Sequence, residues 1–394
     1  MEANYPFNPD SSSPKYKKQR KPLTKGLEGK LTGRGRLATH VPMTLDEVVE
    51  KVRSHERITK EEALLLWQEA DFFTLGALAR EVRFRLHPER IVTYIVDRNI
   101  NYTNVCLSGC KFCAYYAPPG SERGYLLSEE ELFKKIEETI ALGGTQILLQ
   151  GGLHPDLPLS FYEDMLRKIK ERFPSIHLHA FSPPEICHFA QISGLSVEEV
   201  LRRLIQAGLD SIPGGGAEIL VDRVREKISP RKCSAQEWLE VMRTAHKLGL
   251  KTTATMMFGH VETMEDRLEH LDRLRTLQDE TQGFTAFIPW PFQPGNTELR
   301  VPKVLPVEYL KMLALSRLYL DNIPNLQASW VTQGPKVAQV ALEYGANDFG
   351  STMIEENVVA AAGVSHRLSI EEIEKIIRDA GYTPRRRRMD YTLI

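Results

Sequence analysis

The chain has 394 residues, with 51 Lys and Arg against 52 Asp and Glu and a formal net charge of −1. That overall balance gives no sign of nucleic-acid binding, and no apolar run approaches the roughly 18 residues of a membrane helix. A hydrophobic share of 42% supports a sizeable core, in one large barrel with extensions or two to three ordinary domains, and the chain reads as soluble and cytoplasmic.

Residues 1–43 hold the basic, apolar-poor stretch KYKKQRKPLTKGLEGKLTGRGR (15–36) and are expected to be a disordered tail. TLDE (44–47) and TKEE (59–62) are capping boxes ahead of apolar residues at helical spacing, which predicts a helical extension over 44–90. Strands then alternate with helices. Strands are expected over 91–97, 145–152, 176–184, 209–213, 251–259, 283–292, 326–331 and 347–352. Helices are expected over 128–144, 160–173, 196–208, 234–250, 263–278, 306–320 and 335–344. Eight such units predict an α/β fold, a TIM-type (β/α)8 barrel over 91–353. A C-terminal helical extension follows over 354–394, with a helix at 369–381 and Arg385 to Arg388 read as a solvated cluster. The segments QGGLHP, SPPE, PGGGAE, FGHVET, PWPFQPGNT, WVTQG and DFGST all follow strands. In phase they point to an active-site face at the carboxyl ends of the barrel strands.

The loop after the first strand reads CLSGCKFCAYY (106–116). A structural zinc site needs a fourth ligand or a second knuckle. Cys187 and Cys233 are isolated, and no H-x3-5-H follows. Five cysteines without a signal peptide point to a reducing compartment, so a disulfide framework is not expected. Cys106, Cys110 and Cys113 instead suit a [4Fe–4S] cluster held by three thiolates, with one iron left open. PGGGAE (213–218) is too short for a phosphate loop of the G-x4-GK[ST] kind.

The C-x3-C-x2-C spacing resembles that of the radical S-adenosylmethionine (SAM) enzymes. The resemblance implies SAM as second cofactor, bound at the open iron and cleaved to a 5′-deoxyadenosyl radical. It implies that Phe112 packs on the adenine, unless it is an ordinary core aromatic. It implies that Gly151 and Gly152 bring backbone carbonyls to the methionine ammonium, although a plain turn also uses glycines. Glu218 is a candidate for the SAM ribose hydroxyls, or an exposed helix-start carboxylate. Gly259 and Glu262 match a G-x-x-E feature near the adenosine, and His260 between them is either a proton acceptor or a satisfied polar residue. His260 and Glu262 are the catalytic candidates. His177 and His179 share one strand face. His179 is nearer the barrel mouth, as a substrate contact or a packed, hydrogen-bonded histidine.

HLHAFSPPE (177–185) and PGGGAEIL (213–220) are similar to segments of the menaquinone-pathway radical SAM enzymes and their deazaflavin-forming relatives. FIPWPFQPGNTEL (287–299) and GANDFGSTMIEENVV (345–359) narrow the likeness to the cyclases of the futalosine route, over about residues 45–383. Members of that group act on dehypoxanthine futalosine. The resemblance implies removal of the ribose C4′ hydrogen and closure of that carbon onto the benzoate ring. Trp290, Gln293, Asn296, Trp330, Ser351 and Thr352 are then expected in the substrate wall, and an external flavodoxin or ferredoxin as electron donor. An aminofutalosine synthase, a deazaflavin-forming enzyme and a non-enzymatic electron carrier are the alternatives.

Overall fold

The computed structural model describes residues 43–394, which form one compact unit; the expected basic tail falls outside the described residues, apart from Met43. Among the described residues ten strands form: β1 Ile91–Ile95, β2 Asp97–Asn101, β3 Gln146–Gln150, β4 His177–Ala180, β5 Ser211–Ile212, β6 Lys251–Phe258, β7 Phe284–Pro291, β8 Asn325–Leu326, β9 Asp348–Ser351 and β10 Thr383–Arg386. The strands β2 to β8 pair in parallel, in sequence order. A parallel bridge from Gln327 to Asp348 joins β8 to β9. β9 in turn pairs with β1, which runs into β2 across Val96. The wall thus closes as an eight-stranded barrel, as the alternation predicts.

The helices follow their start signals. Ser128 with Glu131, Ser234 with Glu237 and Thr263 with Asp266 each form a reciprocal capping box, satisfying backbone N–H groups that a helix start leaves free. Their apolar faces bury Leu132 and Ile136, or Trp238, Val241 and Met242, against the barrel. Thr44 and Thr59 cap the first two helices of the extension. A third helix, Phe72–Leu86, packs on the barrel helix Pro306–Tyr319.

Three expectations are corrected. The segment 326–331 is strand only at its start; Trp330–Gln333 forms a helical turn. SPPE is not a plain loop, because Ser182 and Glu185 cap a helix over Pro183–Ser193 with proline in its first turn. The arginine cluster is not a solvated tail. β10 pairs with β1 from Ile91–Thr383 to Tyr94–Arg386, and Arg387 is 6% exposed, forked onto the carboxylate of the fully buried Asp348. The described part of the C-terminal extension therefore ends in a strand and a return, with Arg387 bridged to Leu393.

Candidate active site

A cavity of about 430 Å³ occupies the barrel, within the range of small-molecule sites. Inward-facing residues alternate along its strands: Asp97, Asn99 and Asn101 on β2, Gln146, Leu148 and Gln150 on β3, Thr253 and Thr255 on β6. Period two in a closed barrel puts every second side chain inside.

The cysteine loop forms one wall. Cys106, Cys110 and Cys113 all line the cavity. The loop is pinned by backbone bonds from Cys106 N–H to Ala117 O (2.9 Å), Leu107 N–H to Leu153 O (2.9 Å) and Lys111 N–H to Ile228 O (2.9 Å). Gly109 turns it at φ +54°, a conformation that favours glycine. Burial pushes the Cys110 thiol up to about 11 and raises Cys113 as well. Both therefore carry a proton at neutral pH until a metal centre displaces it. Among the described residues no three of His, Cys, Asp and Glu converge on a single-ion site. Three thiols ranged along one wall of a roomy cavity fit a cluster several atoms across, and the donor set fits iron–sulfur chemistry.

Next to the thiols lie Phe112, Gly151, Gly152 and Glu218. A Cβ on Gly152 would overlap the Val105 carbonyl oxygen and lie 2.7 Å from its carbon, and one on Gly151 would strike the Tyr102 ring. The glycines are thus required for the strand end to lie against the cysteine loop. Gly151 N–H donates to Glu185 Oε1 (3.0 Å), which also accepts from Tyr102 Oη (2.8 Å); Glu185 Oε2 accepts from Ser182 N–H and Oγ (2.7 Å each). Burial raises the Glu185 carboxyl above its ordinary value against the pull of these donors. Glu218 is 6% exposed and accepts from Lys232 Nζ at 2.9 Å; its Oε2 faces Arg225 at 3.5 Å and lacks a hydrogen bond. Lys232 lies 5.1 Å from the Phe112 ring centre.

The other wall holds His179, Trp290, Trp330 and Ser351, four of the expected substrate residues. Trp330 Nε1 donates to Ser351 O at 3.0 Å, and Ser351 Oγ donates to Asp97. Burial, then His177 and Arg387, hold the His179 imidazole well below its ordinary range. His179 Nδ1 and His177 Nε2 each lie 2.7 Å from Ser211 Oγ, a packed pair rather than a metal site. Burial raises the Asp97 carboxyl despite Ser351 and Gln146.

Six expected residues lie off the cavity wall. Gln293 Nε2 turns back to Pro291 O at 2.9 Å, Asn296 bonds Ala361 O at 2.9 Å, and Thr352 sits behind Asp97 O. Gly259, His260 and Glu262 form a knot of their own. Glu262 accepts from Gly259 N–H (2.6 Å), His260 N–H (2.9 Å) and Arg267 Nε (2.8 Å), while His260 Nε2 lies 3.0 Å from Met257 O. Both side chains are wholly buried. The structure thus places the catalytic candidates His260 and Glu262 in this knot and not on the cavity wall. Residues absent from the expectation but on the wall include Asp97, Asn99, Gln146, Gln150, Glu356, Arg387 and Tyr391.

A closed parallel barrel with a three-thiol loop after its first wall strand defines the class of radical SAM barrels. Residues 100–274 match the radical SAM superfamily, and residues 281–394 match the CofH/MqnC C-terminal region. The cyclic dehypoxanthine futalosine synthase of Halalkalibacterium halodurans is 50% identical, over 89% of this chain and 95% of that protein. Its namesake from Streptomyces coelicolor is 47% identical over 88% of each. The aminodeoxyfutalosine synthase of Thermus thermophilus is 43% identical, over 86% and 92%. The hydrogenase maturase HydG from Carboxydothermus hydrogenoformans, at 16% identity, superposes with a TM-score of 0.70 over 88% of this chain and 80% of its own, which speaks to the fold alone. The chain belongs to the radical SAM superfamily and, within it, to the family of cyclic dehypoxanthine futalosine synthases.

Proposed function

We infer that this chain is a radical SAM cyclase of menaquinone biosynthesis, converting dehypoxanthine futalosine to its cyclic form by closing a carbon–carbon bond. The observation that carries the reading is one cavity joining the three thiols and the glycine edge to the wall of Trp290 and Trp330. Its cofactors are a [4Fe–4S] cluster and SAM. When bound, they supply the radical that takes the ribose C4′ hydrogen.

The residues do the rest. Cys106, Cys110 and Cys113 would hold the cluster. Gly151 and Gly152 offer carbonyls to the methionine ammonium, and Glu185 fixes their edge. Phe112 stacks against adenine, and Glu218 accepts from the SAM ribose. Trp290 and Trp330 hold the tethered benzoate folded over the sugar, so that ring closure is intramolecular, and the enclosing barrel keeps water from the substrate radical. An external flavodoxin or ferredoxin supplies the electron. Among the described residues no helix is long and apolar enough to cross a membrane, and free thiols at the cluster loop suit the cytoplasm.

The test is anaerobic incubation with SAM, reductant and dehypoxanthine futalosine. A cyclic product two hydrogens lighter than the substrate, with 5′-deoxyadenosine released, is expected. Turnover of the enolpyruvyl benzoate precursor instead would reassign the chain to the aminofutalosine synthases.

A further inference from the structure

The cavity wall carries polar atoms that the protein itself does not satisfy. Asn99 and Gln146 are 6% and 5% exposed and both line the cavity, yet Asn99 Oδ1 and Gln146 Oε1 have no protein partner. The orientation of Gln146 is set by its neighbour: Nε2 donates to Asp97 Oδ2 at 2.7 Å, which leaves the carbonyl oxygen as its free end. The Tyr391 hydroxyl is enclosed and unpartnered, and Tyr391 lines this cavity as well as a second one beside Asn325 and Asp390. Buried polar groups are nearly always paired, so three exceptions on one cavity wall call for a ligand. They gather away from the thiols. Gln146 and Asp97 begin their strands, and Tyr391 comes from the C-terminal return, whose Arg387 N–H bonds Tyr94 O beneath them.

We propose that Asn99, Gln146 and Tyr391 form a subsite for neutral hydroxyl groups, taking the sugar end of the substrate. This rests on the cyclase reading above. Two free carbonyl oxygens require donors, and a hydroxyl supplies one. A carboxylate would meet Asp97 and both carbonyl oxygens. The cation at this end, Arg387, is already forked onto Asp348. The aromatic acid end is thereby left to Trp290 and Trp330. Tyr391 donates to, or accepts from, a further sugar hydroxyl.

The experiment uses reconstituted protein with SAM, under anaerobic conditions. Calorimetry compares dehypoxanthine futalosine with an analogue lacking the ribose 2- and 3-hydroxyls, on wild type, Tyr391→Phe and Asn99→Leu. Loss of one hydrogen bond should raise the parent's Kd and KM about tenfold in each variant. Wild type should bind the analogue more weakly still, since two hydroxyls are lost, and the variants should scarcely change that value. SAM affinity should stay the same. Tyr391→Phe should melt no earlier than wild type, since it removes a hydroxyl the fold leaves unpaired. Equal affinity of wild type for parent and analogue overturns the subsite alone, as does equal weakening of both ligands by Tyr391→Phe. Failure of wild type to bind the parent at all overturns the cyclase reading and the subsite with it.

Discussion

Gly152 shows how little room the site has at the scale of one residue. The sequence suggests a position where a side chain would block a ligand. The structure places the conflict inside the protein, against the Val105 carbonyl and within 2.9 Å of the Cys106 Cβ. Gly152→Ala should therefore displace the cysteine loop before it affects SAM. Reconstituted protein should fall clearly short of the roughly four irons of a cubane. Cys106→Ala, Cys110→Ala and Cys113→Ala should each abolish the cluster, and Cys187→Ala and Cys233→Ala should leave it intact; iron and sulfide assays with the visible spectrum decide. Full iron loading in Gly152→Ala would show that the loop can yield. Glu262 gives a second test. Burial alone would raise its carboxyl, but His260, Arg267 and the Gly259 N–H outweigh that and hold it down to about 2 from 4.5. A depressed carboxylate contributes stability that is fully present above pH 4.5 and is lost as pH falls from there toward 2. The shift corresponds to about 3 kcal/mol. Glu262→Gln should lose on the order of that amount at pH 7 and show a flatter acid limb in urea titrations between pH 5 and 3. An unchanged limb would mean that the knot does not govern acid stability.

Two elements tie the site together at the next scale, and they differ in how far the sequence announces them. The helix Pro183–Ser193 carries its signal openly, with Ser182 three residues before Glu185 and two prolines between. What the spacing does not say is that Glu185 also reaches Gly151 and Tyr102, a contact made between the ends of three neighbouring strands. Glu185→Gln keeps the volume but replaces one acceptor oxygen with an NH₂ facing donors. It should cost about 1–3 kcal/mol in thermal or chemical melts and weaken SAM binding, with the cluster still assembled. Retained SAM affinity would separate the helix cap from the cofactor site. β10 is the opposite case. A proline and a run of arginines argue against a strand, and the sequence contains nothing that pairs Arg387 with Asp348, 39 residues away. Arg387→Met should cost about 3–5 kcal/mol, because it strands a buried carboxylate. Arg387→Met with Asp348→Leu should cost less than either single change; additive losses in urea denaturation would count against a true buried pair. The polar floor was legible in part. Asp97, Asn99 and Asn101 alternate in DRNIN, a period-two polar pattern in a strand that must be buried on both sides. Only the closed ring shows that this face is the cavity. Gln293, Asn296 and Thr352 have the right loops but turn to backbone partners, and sequence alone does not give that direction.

At the scale of the whole molecule, the barrel separates two tasks that the reaction needs apart. The thiol loop and glycine edge stand at the carboxyl ends of the strands, and the C-terminal return contributes Arg387, Met389 and Tyr391 to the other end of the same cavity. A substrate held between them has its sugar within the barrel and its arene on a tether. The protein then supplies no covalent nucleophile; it need only hold the chain folded and exclude water. The position of hydrogen loss is the one that the cyclase reading implies. The carbon that attacks must bear the radical and lie within reach of the arene through the linker, and ribose C4′ meets both conditions. Substrate deuterated at C4′ should pass its label to 5′-deoxyadenosine in the course of turnover, and the cyclic product should lack it. Mass spectrometry of both products reads the outcome directly. Label retained in the product, or transferred only from another ribose carbon, would mean that the cavity presents a different face of the sugar to the cofactor, and the closure would have to be redrawn.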